Sequence, residues 1–335
     1  MNALVHNYTI TPHTTFGVAA KTAGFLTVDS TAALQEALAQ NTFSKLRILG
    51  GGSNMLWTKD FEGLTLKIGI KGICVESETA TTITVAVGAG ENWHNFVLWT
   101  LANNYGGVEN LALIPGKMGA APIQNIGAYG VELKDSFVCC DAVEISTGAL
   151  KRFNAKDCKF GYRESVFKND LKGKYIITSV QLQLQKPPHQ LNTSYGRLEE
   201  ALQGRHPTIQ NVANAVIAIR QSKLPNPNEI RNCGSFFKNP IISKQHYSRL
   251  VENHPKLPHY TVDDVKVKVP AAWLIDTLGF KGYRKGDAGV HHSQPLVLVN
   301  HGNASGKELH ALSQEIKAAV AKTFAIHLEE EVNIY

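Results

Sequence analysis

Apolar and polar residues alternate over many short segments in the N-terminal part of the chain. The segment TTITVAVGAG carries Ile83, Val85 and Val87 on one face, with other residues between them. In SVQLQLQ, apolar residues alternate with glutamines in the same way. A period of two predicts half-buried antiparallel strands. We therefore expect this part of the chain to be rich in sheet.

A helical period interrupts the strands and becomes prominent after a proline-bearing break. Helices are predicted at Thr31–Gln40 and at Asn92–Asn103, where the apolar residues form one stripe. Beyond QKPPHQLNTSYG, apolar positions between Ile209 and Ile219 recur at spacings of 3, 4 and 3. This third helix is expected to end before the two prolines of KLPNPNEI.

The C-terminal part mixes both kinds of element. PLVLVN has the pattern of a strand, and Ser305 with Glu308 forms a capping box at the start of a long final helix. The last segment, HLEEEVNIY, is predicted to be a terminal strand with Val332 and Ile334 on one face. A strand-rich part followed by a mixed part predicts an α+β fold instead of a doubly wound parallel sheet.

Length, composition and charge restrict the class of protein. The chain has 335 residues, 43% hydrophobic and 19% charged, which excludes a disordered or fibrous protein. At roughly 100–200 residues per domain, this length predicts two or three domains. The net charge of +6 is dispersed, which gives little support to a nucleic-acid groove and suits small polyanionic ligands equally well.

Targeting signals and metal motifs are not found in the sequence. No apolar stretch approaches the roughly 20 residues of a membrane helix, and the N-terminus lacks a signal-peptide pattern. The five cysteines are odd in number and include no CxxC, so we expect reduced thiols and a cytoplasmic location. Cys139 and Cys140 are interpreted as two small buried residues of a strand. His291 and His292 lack a third ligand, so no metal site is predicted.

Two segments rich in small residues are candidates for a ligand site. LRILGGGSNMLW runs from a strand into three glycines, which let backbone amides approach a phosphate, although it matches neither a Walker A loop nor GxGxxG. ENLALIPGKMGAAPIQNIGAYGVEL combines many small residues with the amides of Gln124 and Asn125. That composition favours contact with a large flat ligand. A strand-end turn and a loop packed against its own protein are the alternatives.

Single polar residues in three other segments are weaker candidates. Arg163, in FGYRESVFK, offers a planar fork for a carboxylate or phosphate. Ser235, in NCGSFFKNP, lacks the second glycine of a nucleophile elbow. In the acid run, a strand would place Glu329 and Glu331 on one face and Glu330 on the other. Each has an ordinary surface or strand-end interpretation.

Taken in order, these segments resemble the UDP-N-acetylenolpyruvoylglucosamine reductases, flavoenzymes of bacterial peptidoglycan synthesis. The matching stretches are TTFGVAA, ILGGGSNMLW, ENLALIPGKMGAAPIQNIGAYGVEL, FGYRESVFK, KLPNP, GSFFKNP, AAWLID with GFKG, and LEEEV. The resemblance implies an α+β chain with an FAD-binding region of the vanillyl-alcohol-oxidase type. That region would consist of two subdomains, at 1–70 and 71–204, followed by a substrate domain at 205–325 and a terminal strand at 326–335 that returns to the flavin.

The resemblance also implies a reaction. NADPH would reduce a non-covalently bound FAD, and hydride would then pass from the flavin N5 to the vinyl carbon of the enolpyruvyl ether of UDP-N-acetylglucosamine, giving UDP-N-acetylmuramate. No nucleic-acid, membrane or obligate protein partner is expected. Two alternatives stay open: another FAD-dependent oxidase or dehydrogenase of the same fold that acts on an alcohol or sugar, and a non-catalytic nucleotide- or RNA-binding module.

Individual roles follow from the same resemblance. Ser235 matches the proton donor, and Arg163 and Glu331 match the pair that stabilises the intermediate. The substrate positions are Tyr162, Tyr195, Lys223, Asn239 and Gln294, with Tyr195 on the closing loop of one family subtype. The cofactor positions are Gly50, Gly51, Gly52, Ser53, Asn54, Pro115, Gly119, Ala120, Ala121, Gln124, Asn125 and Gly127.

Two residues depart from the family pattern. Cys233 stands where a small residue is expected before Gly-Ser, and Glu330 stands where a proline is expected. Glu331 is preferred as the functional carboxylate because it directly precedes Val332, and Glu329 is the fallback.

Overall fold

The computed structural model describes residues 3–195, 198–202 and 204–335, so Gly196 and Arg197 of the predicted closing loop lie outside the described residues. The strands are β1 (Val5–Thr9), β2 (Lys21–Val28), β3 (Leu46–Leu49), β4 (Met55–Leu56), β5 (Phe61–Ile68), β6 (Ile73–Glu78), β7 (Thr82–Gly88), β8 (Gly127–Ala128), β9 (Val131–Glu132), β10 (Phe137–Glu144), β11 (Leu150–Asn154), β12 (Tyr175–Gln185), β13 (Arg231–Ser235), β14 (Ile241–Ser243), β15 (Tyr260–Thr261), β16 (Lys266–Lys268), β17 (Arg284–Lys285), β18 (Ala288–Val290), β19 (Val297–Asn300) and β20 (Asn333–Ile334). The helices are α1 (Thr31–Ala39), α2 (Trp93–Ala102), α3 (Ala155–Cys158), α4 (Leu198–Leu202), α5 (Ile209–Lys223), α6 (Lys244–Asn253), α7 (Ala271–Thr277) and α8 (Gly306–Phe324).

The chain forms two compact units. The first contains the N-terminal residues through Tyr8, together with Thr22–Gly51 and Glu62–Arg220. The second contains Thr9–Lys21, Gly52–Phe61 and Gln221–Tyr335. Two short N-terminal segments therefore belong to the C-terminal unit, and the boundary between the units passes through the glycine segment at Gly51. The four-part division of the sequence stays a prediction.

The first unit contains an antiparallel sheet in the order β11-β10-β12-β7-β6. Ile83, Val85 and Val87 of β7 are each at most 1% exposed, and β7 pairs antiparallel with β12. The predicted half-buried strands are therefore confirmed. Cys139 and Cys140 of β10 are buried free thiols, in agreement with their interpretation as core residues.

A second sheet, in the order β1-β2-β5-β3, lies in the first unit apart from the end residues of its strands. Leu34 of α1 packs with Leu26 and Leu64 in one buried cluster. Strand β3 pairs parallel with β5 and ends at Leu49. The sheet thereby fixes the point at which the chain enters the three glycines.

The predicted helices are confirmed. The ends of α1 and α2 lie within one residue of the predicted ends. The Ser30 side chain caps α1, and the Asn92 side chain caps α2. Between α2 and β10, the long small-residue segment forms short 3₁₀ turns and the β8-β9 hairpin instead of a helix. The amide of Gly119 donates to the carbonyl of Ala89 at 2.9 Å, which ties this segment to the residue just after β7.

The second unit has a sheet in the order β13-β19-β18-β17 and a smaller one in the order β14-β16-β15. The capping box of α8 is present: Ser305 and Glu308 each accept a backbone hydrogen bond from the other. The apolar face of α8 is buried, from Leu309 through Phe324. No helix of the described residues is long and apolar enough to span a membrane.

The terminal strand is shorter than predicted. β20 covers Asn333–Ile334 and pairs parallel with β4. Glu330 instead forms an isolated antiparallel bridge with Phe237. The acid run therefore pairs with the residues around Phe237 before the chain reaches β4. The expectation that Glu329 and Glu331 share one strand face stays a prediction.

Candidate active site

Arg163 lies at the corner of a tight turn in the first unit. Gly161 and Glu164 exchange two backbone hydrogen bonds, with N···O distances of 3.0 and 3.2 Å. Arg163 has φ +57°, a left-handed conformation that is uncommon for a residue with a side chain. Its Nη2 donates to the carbonyl of Gly127 at 2.6 Å, and its guanidinium carbon lies 5.5 Å from the centroid of the Tyr162 ring. The direction of the guanidinium is therefore fixed by its surroundings.

The small-residue segment braces this turn through Asn125. This buried residue has φ +43°, and its Nδ2 donates to Glu132 Oε2 at 3.0 Å and to the carbonyl of Gly161 at 3.1 Å. Its Oδ1 accepts from the amide of Lys134 at 3.0 Å. The side chain is thus fully used inside the protein. A cofactor contact predicted for Asn125 would have to come from its backbone.

Gly127 leaves room for the close approach of the arginine. A Cβ at this position would lie 3.0 Å from Arg163 Nη1. Gly119 and Ala121 are also explained by packing, since a Cβ on Gly119 would lie 2.6 Å from the Cβ of Ala89, and Ala121 is buried. In contrast, Pro115 and Ala120 are exposed, and Gln124 is partly buried. Part of the segment therefore packs against the protein, and part of it faces outward.

Arg220, in the last turn of α5, is a second cation near Arg163, and the sequence did not single it out. Burial lowers the pKa of Arg220, and the charge of Arg163 lowers it further while Tyr129 acts in the opposite direction. Its Nε is buried without a hydrogen-bond partner, and none of the described carboxylates forms an ion pair with it. A buried guanidinium such as that of Arg220, with no ion pair among the described residues, favours the binding of an anion.

His94 adds no charge to this cluster. Burial and then the charge of Arg220 lower the pKa of His94 below its usual range. Its Nδ1 accepts a hydrogen bond from the amide of Leu113 at 3.0 Å, so the proton of the neutral ring lies on Nε2. His94 therefore contributes a neutral donor at Nε2.

Tyr195 stands beside the outward-facing end of the small-residue segment. Its side chain is exposed. Gly130 has φ +79°, and a Cβ added to it would lie 3.1 Å from the Cβ of Tyr195. Asn192 donates to the carbonyl of Gly130 at 3.2 Å. Asn110 donates to the carbonyls of Tyr129 and Asn192 at 2.9 and 2.8 Å. The segment that carries Tyr195 is thereby held against residues 129–130.

Gly50 and Gly51 lie against a second piece of backbone in the first unit. A Cβ on Gly51 would lie 3.1 Å from the Cα of Gly116, so no side chain separates the two loops there. Paired backbone segments without side chains allow a phosphate to come close to peptide groups. These residues therefore fit the phosphate-binding part of a dinucleotide such as FAD.

The remaining residues of the glycine segment belong to the second unit. Gly52 has φ +64°, and a Cβ there would lie 1.8 Å from the carbonyl oxygen of His13. Ser53 is partly buried. Asn54 donates from Nδ2 to the carbonyl of Glu331 at 3.1 Å and accepts from the amide of Asn333 at 3.2 Å. Asn54 thus ties the glycine segment to the acid run.

Ser235, also in the second unit, is the last residue of β13. Gly234 precedes it with φ +75° and donates its amide to Asn232 Oδ1 at 2.9 Å, which shapes the end of the strand. The amide of Glu331 donates to the carbonyl of Phe236 at 2.8 Å. Backbone pairing therefore places Glu331 next to Phe236, the residue that follows Ser235.

The other two glutamates of the acid run are held in ion pairs. Lys238 Nζ lies 3.0 Å from Glu329 Oε2. Lys317 Nζ lies 2.7 Å from both carboxylate oxygens of Glu330. Burial works to raise the pKa of Glu330, but the hydrogen bonds from Lys317 and Gln314 prevail and lower it. The glutamate in place of the expected proline therefore ties the acid run to α8.

Cys233 is a buried thiol next to this corner. Its burial, and then the charge of Glu331, raise the pKa of the Cys233 thiol well above its usual range. The thiol stays protonated and unreactive. Cys233 therefore contributes packing at this corner.

The remaining predicted substrate residues lie in the second unit. Asn239 Oδ1 accepts from the amide of Ala271 at 3.0 Å at the start of α7, which leaves its Nδ2 for a ligand. Lys223 is exposed at the end of α5. Gln294 is partly buried, and its carbonyl accepts from the amide of Val297 at 3.0 Å. Their contacts with substrate stay predictions.

No group of three or more metal-binding side chains occurs among the described residues.

Two family models match the chain. A model of an FAD binding domain matches residues 22–154. A model of the C-terminal domain of UDP-N-acetylenolpyruvoylglucosamine reductase matches residues 226–335. The first match covers Gly50 through Asn125, and the second covers Ser235 and Glu331.

Full-length relatives carry the same reductase name. The protein of Flavobacterium johnsoniae is 50% identical over 331 residues, which is 98% of each chain. That of Amoebophilus asiaticus is 49% identical over 325 residues, which is 96% of each chain. The crystal structure of UDP-N-acetylenolpyruvylglucosamine reductase from Thermus caldophilus matches with a TM-score of 0.68 at 23% identity, covering 99% of this chain and 98% of that one. The α+β fold is thereby confirmed.

Proposed function

The chain belongs to the UDP-N-acetylenolpyruvoylglucosamine reductase family, and from this premise we propose how its residues carry out the reaction. It is an FAD-dependent oxidoreductase that uses NADPH to reduce the enolpyruvyl ether of UDP-N-acetylglucosamine to UDP-N-acetylmuramate. The relatives support this activity over an oxidase that acts on an alcohol or sugar.

The chemistry that FAD supplies when bound is hydride for the terminal vinyl carbon of the substrate. The substrate alkene is conjugated to a carboxylate, so addition of hydride creates an enediolate with extra negative charge. That charge has to be stabilised as it develops, by groups that are already in position. The fixed guanidinium of Arg163 suits this role because Gly127 and the left-handed backbone hold its direction. Arg220, which forms no ion pair among the described residues, supplies a second positive charge.

We assign to Ser235 the donation of the proton that the enediolate carbon takes up. A serine hydroxyl is a weak acid, but the enediolate carbon is strongly basic and can take its proton. The observation that carries this assignment is the backbone pairing that brings Glu331 beside Ser235. Glu331 stabilises the enediolate only if it carries a proton, because an ionised carboxylate would repel the new charge.

Binding roles follow the division of the chain into parts. We assign FAD to subdomains at 1–70 and 71–204, and the nucleotide sugar to residues 205–325, with the support of the family-model matches at 22–154 and 226–335. Tyr162, Tyr195, Lys223, Asn239 and Gln294 are assigned to the substrate. We place the reaction in the cytoplasm, where NADPH is available and where the five free thiols would stay reduced.

The assignment of Ser235 is tested by separating the two half-reactions of Ser235→Ala in stopped flow. Flavin reduction by NADPH should keep its wild-type rate, because no proton reaches carbon in that step. Reoxidation by the enolpyruvyl sugar should slow by at least ~100-fold, the usual range for loss of a general acid. Equal slowing of both half-reactions would show that Ser235 does not act as the proton donor.

A further inference from the structure

Lys117 is a partly buried cation inside the small-residue segment. Its Cβ lies 3.7 Å from the position that a Cβ would take on Gly50, and its Cγ lies 3.7 Å from that position on Gly51. A backbone bridge with Asn92 fixes residue 117. The side chain of Lys117 therefore begins directly beside the two glycines of the first unit.

The charge of Lys117 is poorly compensated. Burial lowers the pKa of Lys117, and the charges of Lys71 and Lys67 add to this effect, while Glu91 acts in the opposite direction. Glu91 already pairs with Lys71 at 3.1 Å and accepts from the amide of Gly72 at 3.0 Å. Among the described residues no carboxylate forms an ion pair with Lys117. Lys117 is thus a partly desolvated cation with two further lysines near it, and a cation of this kind favours a bound anion.

The surroundings identify the class of anion. Gly51 and Gly116 approach each other with no side chain between them, which is the backbone arrangement that suits a phosphate. Both glycines and Lys117 lie within the part of the chain that matches an FAD binding domain. We propose that the Lys117 ammonium binds the pyrophosphate of FAD and sets much of the affinity for the cofactor. This inference rests on the proposed function, because it takes FAD as the cofactor.

The test is a titration of the full-length protein, stripped of flavin, with FAD, followed by flavin fluorescence. Lys117→Met should weaken FAD binding about tenfold or more, the effect of losing one hydrogen bond between charged groups. The dependence of the dissociation constant on salt should become shallower, because one fewer ionic contact is made. Lys117→Arg keeps the charge and should retain affinity within about threefold.

Riboflavin and a second lysine provide the controls. Riboflavin has the isoalloxazine ring without phosphate, so its affinity should be the same for the wild type and Lys117→Met. Lys45, which forms an exposed pair with Glu62 at 3.7 Å, offers a matched loss of one positive charge. Lys45→Met should change the affinity for FAD by less than about twofold.

Two results would overturn the inference. One is equal FAD affinity of the wild type and Lys117→Met at low salt. The other is a parallel loss of riboflavin affinity, which would mean that the substitution disturbs the fold of the site. A wild-type protein that binds no FAD at all would instead contradict the proposed function, so the two failures are distinguishable.

Discussion

The Arg163–Arg220 region of the first unit and the Ser235–Glu331 region of the second unit differ in how their charged side chains interact. In the first, two guanidinium groups repel each other, and Arg220 has a buried Nε without a partner. In the second, lysines neutralise the two glutamates that precede Glu331. An uncompensated buried charge costs stability and is therefore a mark of function, whereas a compensated charge serves the fold.

The largest effect on the reaction is expected from substitution of Arg163 in the first region. Arg163→Met should lower the rate of flavin reoxidation by the enolpyruvyl sugar by ~100- to 1,000-fold, because the developing negative charge loses its fixed donor. Stopped-flow absorbance of the flavin measures this rate. Arg152, which pairs on the surface with Asp141 at 2.8 Å, is the matched control, and Arg152→Met should react at nearly the wild-type rate. Similar losses in both variants would remove the special role of Arg163.

Substitution of Arg220 should weaken substrate binding without lowering the free energy of unfolding. Arg220→Met is expected to raise the KM for the enolpyruvyl sugar about 10- to 100-fold, because a charge-assisted contact with the anion is lost. The free energy of unfolding should not fall, because the substitution removes a buried cation whose Nε has no hydrogen-bond partner among the described residues. Steady-state kinetics and urea unfolding measure the two quantities. A variant that is strongly destabilised with an unchanged KM would assign Arg220 to the fold.

Substitution of Lys317 should lower the free energy of unfolding without changing the kinetics of the reaction. Lys317→Met leaves the partly buried Glu330 without its cation and should cost about 1–3 kcal/mol of unfolding free energy, with reoxidation kinetics unchanged. Lys281→Met, which breaks the exposed pair with Asp276, should cost less than about 1 kcal/mol. A functional loss in Lys317→Met without destabilisation would contradict the division between the two regions.

The same pair predicts a pH dependence with a definite sign. In the folded state the pKa of Glu330 lies below its ordinary value of 4.5, with burial opposing the shift and the bonds from Lys317 and Gln314 producing it. The stabilisation is therefore fully present above pH 4.5 and is lost as the pH falls through the folded-state pKa. Urea unfolding at several pH values should show the difference between wild type and Lys317→Met shrinking as the pH falls below 4.5.

Periodicity predicted the secondary structure well because local patterns carry it. The alternation in β7 and β12, the three helices and the capping box of α8 all depend on residues close together in the chain. The terminal strand was overestimated because its length depends on two partners, Phe237 and β4, which are distant in sequence.

The site was only partly predictable, for the same reason. The resemblance supplied Arg163, Ser235 and Glu331, but local patterns could not show that the side chain of Asn125 is consumed by a brace to Gly161. Arg220 was missed because an arginine in the last turn of a helix is ordinary in sequence. Its significance lies in its burial and in the nearby charge of Arg163, which only the fold reveals.

The most direct test of the account is the fate of flavin that NADPH has reduced in the wild-type protein without oxygen. Addition of the enolpyruvyl ether of UDP-N-acetylglucosamine should restore the oxidised flavin spectrum in one rapid phase, with one equivalent of UDP-N-acetylmuramate formed per flavin. Flavin that stays reduced until air is admitted would contradict the reductase assignment and favour an oxidase of the same fold.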